Sequence, residues 1–329
     1  MSRVLPRVGL GVAIVVIAGL LVTMVVFVGG IFSQGGVAAD NPFAGKTLFV
    51  DPDSKAAVAA AEAEDDGDTG DAAVIGRIAE VATAVWLTPE KHPTGDVGDY
   101  VAGIVREADR LRDTPVFTVY GIPNRDCGNY SGGGLSAEEY PVWVQEIADA
   151  LEGSGSIVIL EPDALALAHE CDNVDERLAE VGTSVDTLVA AGLVVYIDAG
   201  HSNWGPAEQM AELLDQAGVD RARGFSTNVS NYNTTDREQE YANAISELTN
   251  GAHYVIDTSR NGNGSDGDWC NPPGRALGET PSASPSGSAQ DAVLWVKPPG
   301  ESDGECNGGP AAGEWWTESA LELAANAGW

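Results

Sequence analysis

The chain has 329 residues, of which 43% are hydrophobic, enough for one large single domain with an ample core. Its 50 acidic residues against 17 basic ones give a formal net charge of −33. A surface of that sign repels nucleic acid and anionic membrane, so no nucleic-acid partner is expected; it suits a neutral or cationic substrate, or simple solubility.

At the N-terminus, Arg3 and Arg7 precede Val8–Val28, a run without a charged residue. At helical rise it spans roughly 30 Å, the hydrocarbon thickness of a bilayer. The basic flank keeps the N-terminus cytoplasmic and sends the rest outside. The run is longer than a signal-peptide core of about 7–15 residues. An uncleaved signal anchor over residues 1–39 is therefore the preferred reading. Val37-Ala38-Ala39 is a small-residue site where cleavage after Ala39 would instead release a secreted chain. Both readings place residues 40–329 outside the cell, as one domain and a monomer.

An exported chain meets an oxidising compartment, so Cys127, Cys171, Cys270 and Cys306 should form two disulfides. Three pairings are possible, and nearness in sequence gives Cys127–Cys171 and Cys270–Cys306. No two cysteines are close and no CxxC occurs, so neither a metal site nor a cofactor is expected.

Along the domain, Ser54–Ala63 is Ala-rich and helical in propensity, and Glu64–Asp71 reads as an acidic, Gly-broken loop. A rhythm of apolar strands follows: Thr83–Leu87, Val116–Tyr120, Ile157–Leu160, Leu193–Ile197, Gly224–Thr227, His253–Ile256 and Ala292–Val296. Helical patterns at Val97–Arg112, Tyr140–Leu151, Val174–Ala190, Pro206–Ala217 and Arg237–Leu248 separate most of them. Strand alternating with helix predicts an α/β fold, a parallel sheet closed into a TIM-like barrel. Seven strands are fewer than the eight of a standard barrel, so the barrel is expected to be distorted. Asn261–Gln290, rich in Gly, Ser and Pro, reads as a long loop inside the domain.

The strand ends carry the chemistry. Ile157–Leu160 runs into Glu161-Pro162-Asp163; its bland reading is a strand followed by a helix cap. The other ends bring Asp126, Asp198, Glu301 and Asp303 to the same rim, with Trp86, Tyr120, Trp204 and Trp269 among them. Crowded carboxylates raise one another's pKa. That suits acid–base work, in which one carboxyl stays protonated while another stays ionised. Trp faces suit the apolar faces of sugar rings, and paired carboxyls with aromatic platforms point to glycoside hydrolysis.

Seven blocks extend this reading: VYGIPNRDCGNYSGGG (Val119–Gly134), VILEPDALAL (Val158–Leu167), YIDAGHSNW (Tyr196–Trp204), STNVSNY (Ser226–Tyr232), VIDTSRNGNG (Val255–Gly264), GDWCNPPGRALG (Gly267–Gly278) and LWVKPPGESDG (Leu294–Gly304). In this order they resemble glycoside hydrolase family 6, the cellulases that include endoglucanases and cellobiohydrolases. The resemblance runs from about Asn41 to the C-terminus. It implies a distorted, roughly seven-stranded barrel that hydrolyses β-1,4-glucan with inversion at the anomeric carbon. Asp163 then looks like the general acid, and Asp126 like the neighbour that lifts its pKa and joins a proton relay. Asp303 takes the position of the candidate base, Asp198 is a supporting carboxylate, and Tyr120 lies near the distorted sugar. Trp86, Trp204 and Trp269 match sugar-stacking positions; His201, Asn228, Lys297 and Glu301 match substrate hydrogen-bonding positions. The family's disulfides match the nearness pairing. Asp257 and Arg260 read instead as a salt bridge that holds a loop, and Trp315, Trp316 and Trp329 as packing around a C-terminal helix.

The loop from Gly304 to Gly313 is short and made mostly of small residues, where members with tunnels carry long insertions. An open cleft and internal chain cleavage are expected. No Pro/Thr-rich linker or binding module follows Trp329, so a soluble or amorphous β-glucan is the expected substrate. The alternatives are an exo-acting cellobiohydrolase of the same family and a non-catalytic cell-surface glycan-binding protein.

Overall fold

The structure, a computed structural model, describes Met1 and residues 41–329. The expected membrane segment and its cleavage site lie outside the described residues. Among the described residues, no helix is long and apolar enough to cross a membrane.

Two helices open the domain, α1 (Lys55–Asp66) and α2 (Thr69–Ala79). The Ser54 hydroxyl accepts from the Ala57 N–H at the start of α1, and Gly67 ends it in the left-handed conformation. The expected acidic loop is thus only a Gly67-Asp68 break. One glycine able to take a positive φ turns the chain, so the acidic residues stay helical. Next come β1 (Val85–Leu87), α3 (Val97–Leu111), β2 (Val116–Val119), α4 (Tyr140–Leu151), β3 (Ile157–Leu160), α5 (Ala164–Leu167) and α6 (Val174–Ala190). Then follow β4 (Val194–Asp198), α7 (Ala207–Ala217), β5 (Gly224–Thr227), α8 (Thr235–Leu248), β6 (His253–Asp257), β7 (Ser282–Ala283), β8 (Gln290–Leu294) and α9 (Thr317–Asn326).

The eight strands form one sheet in the order β1-β2-β3-β4-β5-β6-β8-β7. Every ladder is parallel except β7–β8. The two-residue β7 lies within the stretch expected to be loop alone; it is too short to leave a hydrophobic pattern. Among the described residues β1 and β8 share no ladder. Instead the Ala84 N–H donates to the Trp295 carbonyl at 3.0 Å, and Trp86 Nε1 donates to the Val296 carbonyl at 2.8 Å. The sheet therefore curls until its outermost parallel strands touch, but the expected closed barrel remains open along that seam.

Strand period explains where the core sits. All four residues of β3 are buried, yet alternate ones face opposite ways. Val158 and Leu160 pack with the helices, among Trp143, Ile147 and Val185. Ile157 and Ile159 pack inside the curl with Phe43, Tyr196, Val255 and Leu294. A smaller cluster joins Ile78, Trp295, Ala320 and Leu323, with Trp315 and Trp329 against it; Trp316, expected with them, is not part of it, and Trp315 also lines the cleft. Both disulfides form as the nearness pairing gives them, Cys127–Cys171 and Cys270–Cys306.

Where β5 meets β6, no side chain fits at Gly224. A Cβ there would lie 1.7 Å from the His253 carbonyl oxygen, a clash only backbone movement relieves. Gly224→Ala is expected to destabilise the domain by about 3 kcal/mol or more, at the upper end of overpacking costs. Urea denaturation of the two proteins measures the difference, and a loss under about 0.5 kcal/mol would mean that the two strands are not this tightly laddered.

Candidate active site

The site begins where β3 ends. Glu161 (φ 49°) and Asp163 (φ 68°) both take the left-handed conformation around Pro162, an unfavourable backbone for non-glycine residues. Neighbouring strands hold it. The Glu161 carboxylate accepts from the Gly121 N–H at 2.9 Å, just beyond β2, and from the Tyr140 hydroxyl at 2.9 Å. The Asp163 N–H donates to Asp198 Oδ2 at 2.9 Å, at the end of β4. Burial pushes the pKa of the Glu161 carboxyl up to about 7.

The same turn aims the Asp163 side chain into a cleft of about 910 Å³. Its carboxyl is deeply set but keeps part of its surface open to the cleft. Burial raises its pKa well above the ordinary carboxylate range, and the nearby charges of Asp198, Asp126 and Asp303 push it the same way. The Lys297 ammonium opposes them.

Asp198 is 1% exposed and does not reach the cleft. Its carboxylate accepts from the Gly200 N–H at 2.9 Å and the Ser226 hydroxyl at 3.2 Å, besides the Asp163 N–H. Burial still outweighs these donors and brings its pKa up to about 7. Asp126 stands on the loop after β2. Its Oδ2 accepts from both the N–H (3.1 Å) and the hydroxyl (2.9 Å) of Ser131. Ser131 Oγ also meets the Tyr120 hydroxyl at 3.1 Å. Arg125 does not pair with Asp126. It pairs with Glu90 at 3.1 Å and donates to the carbonyls of Tyr120 and Ser131 at 2.8 Å each, so it braces the loop that carries both.

Asp303 has the opposite environment. Arg260 grips both oxygens, Nη2 to Oδ1 at 3.0 Å and Nη1 to Oδ2 at 3.1 Å. The Tyr232 hydroxyl (2.8 Å) and the Asn271 N–H (3.1 Å) also donate to Oδ2, and Lys297 Nζ stands 3.6 Å from Oδ1. Burial works to raise the pKa of Asp303, but Arg260 and Lys297 together outweigh it and hold it below the ordinary range. A carboxylate so occupied holds a proton less readily than an ordinary one. Arg260 is not the partner of Asp257 either. Asp257 accepts instead from the N–H groups of Ser230, Ser259, Val296 and Lys297, because it sits where three strand ends converge.

Around the carboxylates, Tyr120, Trp86, His201, Trp204, Trp269, Lys297 and Glu301 all line the cleft with Asp126, Asp163 and Asp303. Trp86 stands edge-on to Tyr120, ring centroids 5.2 Å apart, with Lys297 Nζ 5.8 Å from its own centroid. His201 is tilted against Trp204 at 5.0 Å, and burial lowers its pKa to about 4, so it is a neutral hydrogen-bonding group near pH 7. Glu301 pairs with Lys55 at 2.9 Å. Asn228 is not brought to the cleft. It is fully buried, and its amide donates to the Asn233 and Asp257 carbonyls at 3.2 and 2.9 Å, which leaves it a structural part. Ser131 and Arg260 emerge only in three dimensions; the one sequence signal for Ser131 is its place in a Gly-rich block five residues after Asp126. Among the described residues, no group of three or more His, Cys, Asp or Glu is placed to hold a metal ion.

Residues 43–327 match the family model described as Glycosyl hydrolases family 6. The chain is 48% identical over 262 residues to Endoglucanase A of Cellulomonas fimi, covering 79% of this chain and 57% of that protein. It is 38% identical over 300 residues to Endoglucanase 1 of Streptomyces halstedii, covering 87% and 91%. The chain thus spans little more than half of the first relative and nearly all of the second. Among solved structures it resembles the endoglucanase Cel6 of Mycobacterium tuberculosis in complex with methyl-cellobiosyl-4-deoxy-4-thio-β-D-cellobioside. That likeness has a TM-score of 0.83 and 47% identity over 88% of this chain and 100% of that one.

The pressure of Asp198 on Asp163 can be measured. Asn at position 198 keeps an oxygen for the Asp163 N–H but carries no charge. Asp198→Asn is therefore expected to lower the pKa of the Asp163 carboxyl, because a neighbouring negative charge is removed. Carbon-13 NMR titration of the Asp163 carboxyl reads it directly, and an unmoved midpoint would rule out the coupling.

Proposed function

The chain belongs to glycosyl hydrolase family 6, and on that premise we propose that it is an endo-β-1,4-glucanase that cleaves internal bonds of cellulose or a related β-glucan with inversion. Its curled sheet of seven parallel strands is read as the family's distorted barrel. One observation carries the mechanism: Asp163 is a deeply set carboxyl on the cleft, held against Asp198, and burial and the charges of Asp198, Asp126 and Asp303 raise its pKa well above the ordinary range. It is the general acid.

In the proposed reaction Asp163 gives its proton to the glycosidic oxygen as the bond from that oxygen to the anomeric carbon breaks. A water attacks the same carbon from the opposite face. Its surplus proton passes through the Ser131 hydroxyl to Asp126, whose Oδ2 that hydroxyl already meets at 2.9 Å. The cycle ends with Asp163 ionised and Asp126 protonated, and transfer between them through solvent restores the start. Asp303 takes no proton. It remains a carboxylate held by Arg260, and its charge helps keep Asp163 protonated. Burial raises the pKa of Tyr120, so its hydroxyl stays neutral beside the reacting sugar.

Internal cleavage is supported by the lips of the cleft. Trp269 is 46% exposed and Tyr130 is 49% exposed, where a roof would bury both. The residues 40–329 are proposed as the catalytic domain, working outside the cell. Two disulfides support that location. Retention by an N-terminal anchor remains part of the proposal.

Asp163→Asn is expected to abolish hydrolysis of unactivated β-glucan while leaving cello-oligosaccharide binding intact. Viscometry on carboxymethylcellulose and titration calorimetry read the two properties; full residual activity would remove Asp163 as the acid. The wild type should drop viscosity fast relative to sugar release, with α-anomer first seen by proton NMR. Initial β-anomer would exclude inversion.

Ser131→Ala tests the relay. We expect kcat to fall by about 100-fold, the lower range for loss of a positioned proton-transfer group, with KM nearly unchanged. A change under twofold would route the water's proton elsewhere.

A further inference from the structure

The chain has only four lysines, and three of them, Lys55, Lys91 and Lys297, line the cleft of Asp163. Two are committed. Lys297 donates to the Ser302 carbonyl at 3.1 Å and faces Asp303. Lys55 pairs with Glu301 and donates to the Gly313 carbonyl. The Lys91 ammonium has no hydrogen-bond or ion-pair partner among the described residues, and its side chain is exposed to the cleft. In a chain with 50 acidic residues, a lysine with no carboxylate in contact is a donor available to a ligand.

Its place is traceable by neighbours. Tyr120 and Trp86 stand edge-on at the centre of the cleft with Lys297 over Trp86, and all three line it together with Lys91. Glu301 and its partner Lys55 line it too, and the charges of Lys55, Glu301 and Asp51 all act on Lys91. Tyr100 lines the same arm. Its ring is stacked on His92 with centroids 3.8 Å apart and planes 14° apart, which makes it a stiff wall. The cleft, at about 910 Å³, lies at the top of the range for small-molecule sites.

We propose that the arm beyond Trp86 is a distal binding position for a further glucose unit of a β-glucan, with the Lys91 ammonium donating to its hydroxyls and Tyr100 walling it. The proposal rests on the glucan reading of the cleft. A neutral, hydroxyl-rich unit fits because the arm also carries Asp51 and Asp53 as acceptors, so donors and acceptors are both at hand. This position accounts for length preference, since a short oligosaccharide that fills the centre never reaches Lys91.

The test compares cellotetraose with cellohexaose. Lys91→Met keeps the stem and removes the donors. It is expected to lower kcat/KM for cellohexaose by about tenfold, the size of one lost charge-assisted hydrogen bond, and to leave cellotetraose within twofold. Equal losses on both substrates, or no loss on either, would overturn the distal position. Calorimetric affinities for the two oligosaccharides on the Asp163→Asn background read the same difference without turnover. A wild type that binds both sugars but hydrolyses neither would therefore refute the proposed function while leaving the distal position decided by affinity. Unchanged cellohexaose affinity in the double variant would refute the distal position alone.

Discussion

One hydrogen bond organises the cleft: the Asp163 N–H to the buried Asp198 carboxylate. It fastens a left-handed turn that a non-glycine residue adopts only when its surroundings insist. Both ends of the bond belong to strand termini, and β3 and β4 are in register from Ile157 against Val194 to Leu160 against Ile197. A shift of one strand past the other would move the donor from the acceptor. The ladder thus sets the position of a single side chain, and Glu161 fixes the other flank of the same turn on β2 and α4. The turn also brings two carboxyls close in a poorly solvated place, so the bond that positions Asp163 also helps to raise its pKa.

The site shows how much environment decides for one residue type. Asp163 and Asp303 face the same cleft, and their pKa values are driven apart. Around Asp163 the neighbours are carboxylates and the N–H donors go to Asp198 instead. Around Asp303 a guanidinium, a phenol, a backbone N–H and an ammonium converge. Separation of this kind is what acid–base chemistry near neutral pH requires. Here it comes from whom each carboxyl meets, because both are set deep.

Strands and long helices were legible because their apolar period is strong and their lengths ordinary; Tyr140–Leu151 and Val174–Ala190 run as expected from the residues alone. The helix α2 and the strand β7 were not. The first is masked by an acidic stretch whose only true break is Gly67, and the second has two residues in a Gly/Ser/Pro-rich stretch. Within the site, Asp126, Asp163 and the aromatics could be placed from strand ends, since a parallel sheet delivers those ends to one rim. The partner of Arg260 could not. Asp257 is three residues from it and Asp303 is forty-three, and nothing local says that the nearer carboxylate is already satisfied by backbone N–H groups. Asn228 was picked out by the resemblance, which does not show that its amide is already tied to the Asn233 and Asp257 carbonyls.

The disulfides have a further consequence. Cys127 follows Asp126 directly, Cys270 follows Trp269 directly, and Cys306 lies three residues after Asp303. Neither bridge crosses the sheet; both staple rim loops. In a reducing compartment the apolar interior could still collapse around its strands, but the loops bearing these residues would regain the freedom that the crosslinks remove. Assembly of the scaffold and assembly of the chemistry are thus separable in time. Oxidation is what fixes the rim loops that carry Asp126, Trp269 and Asp303.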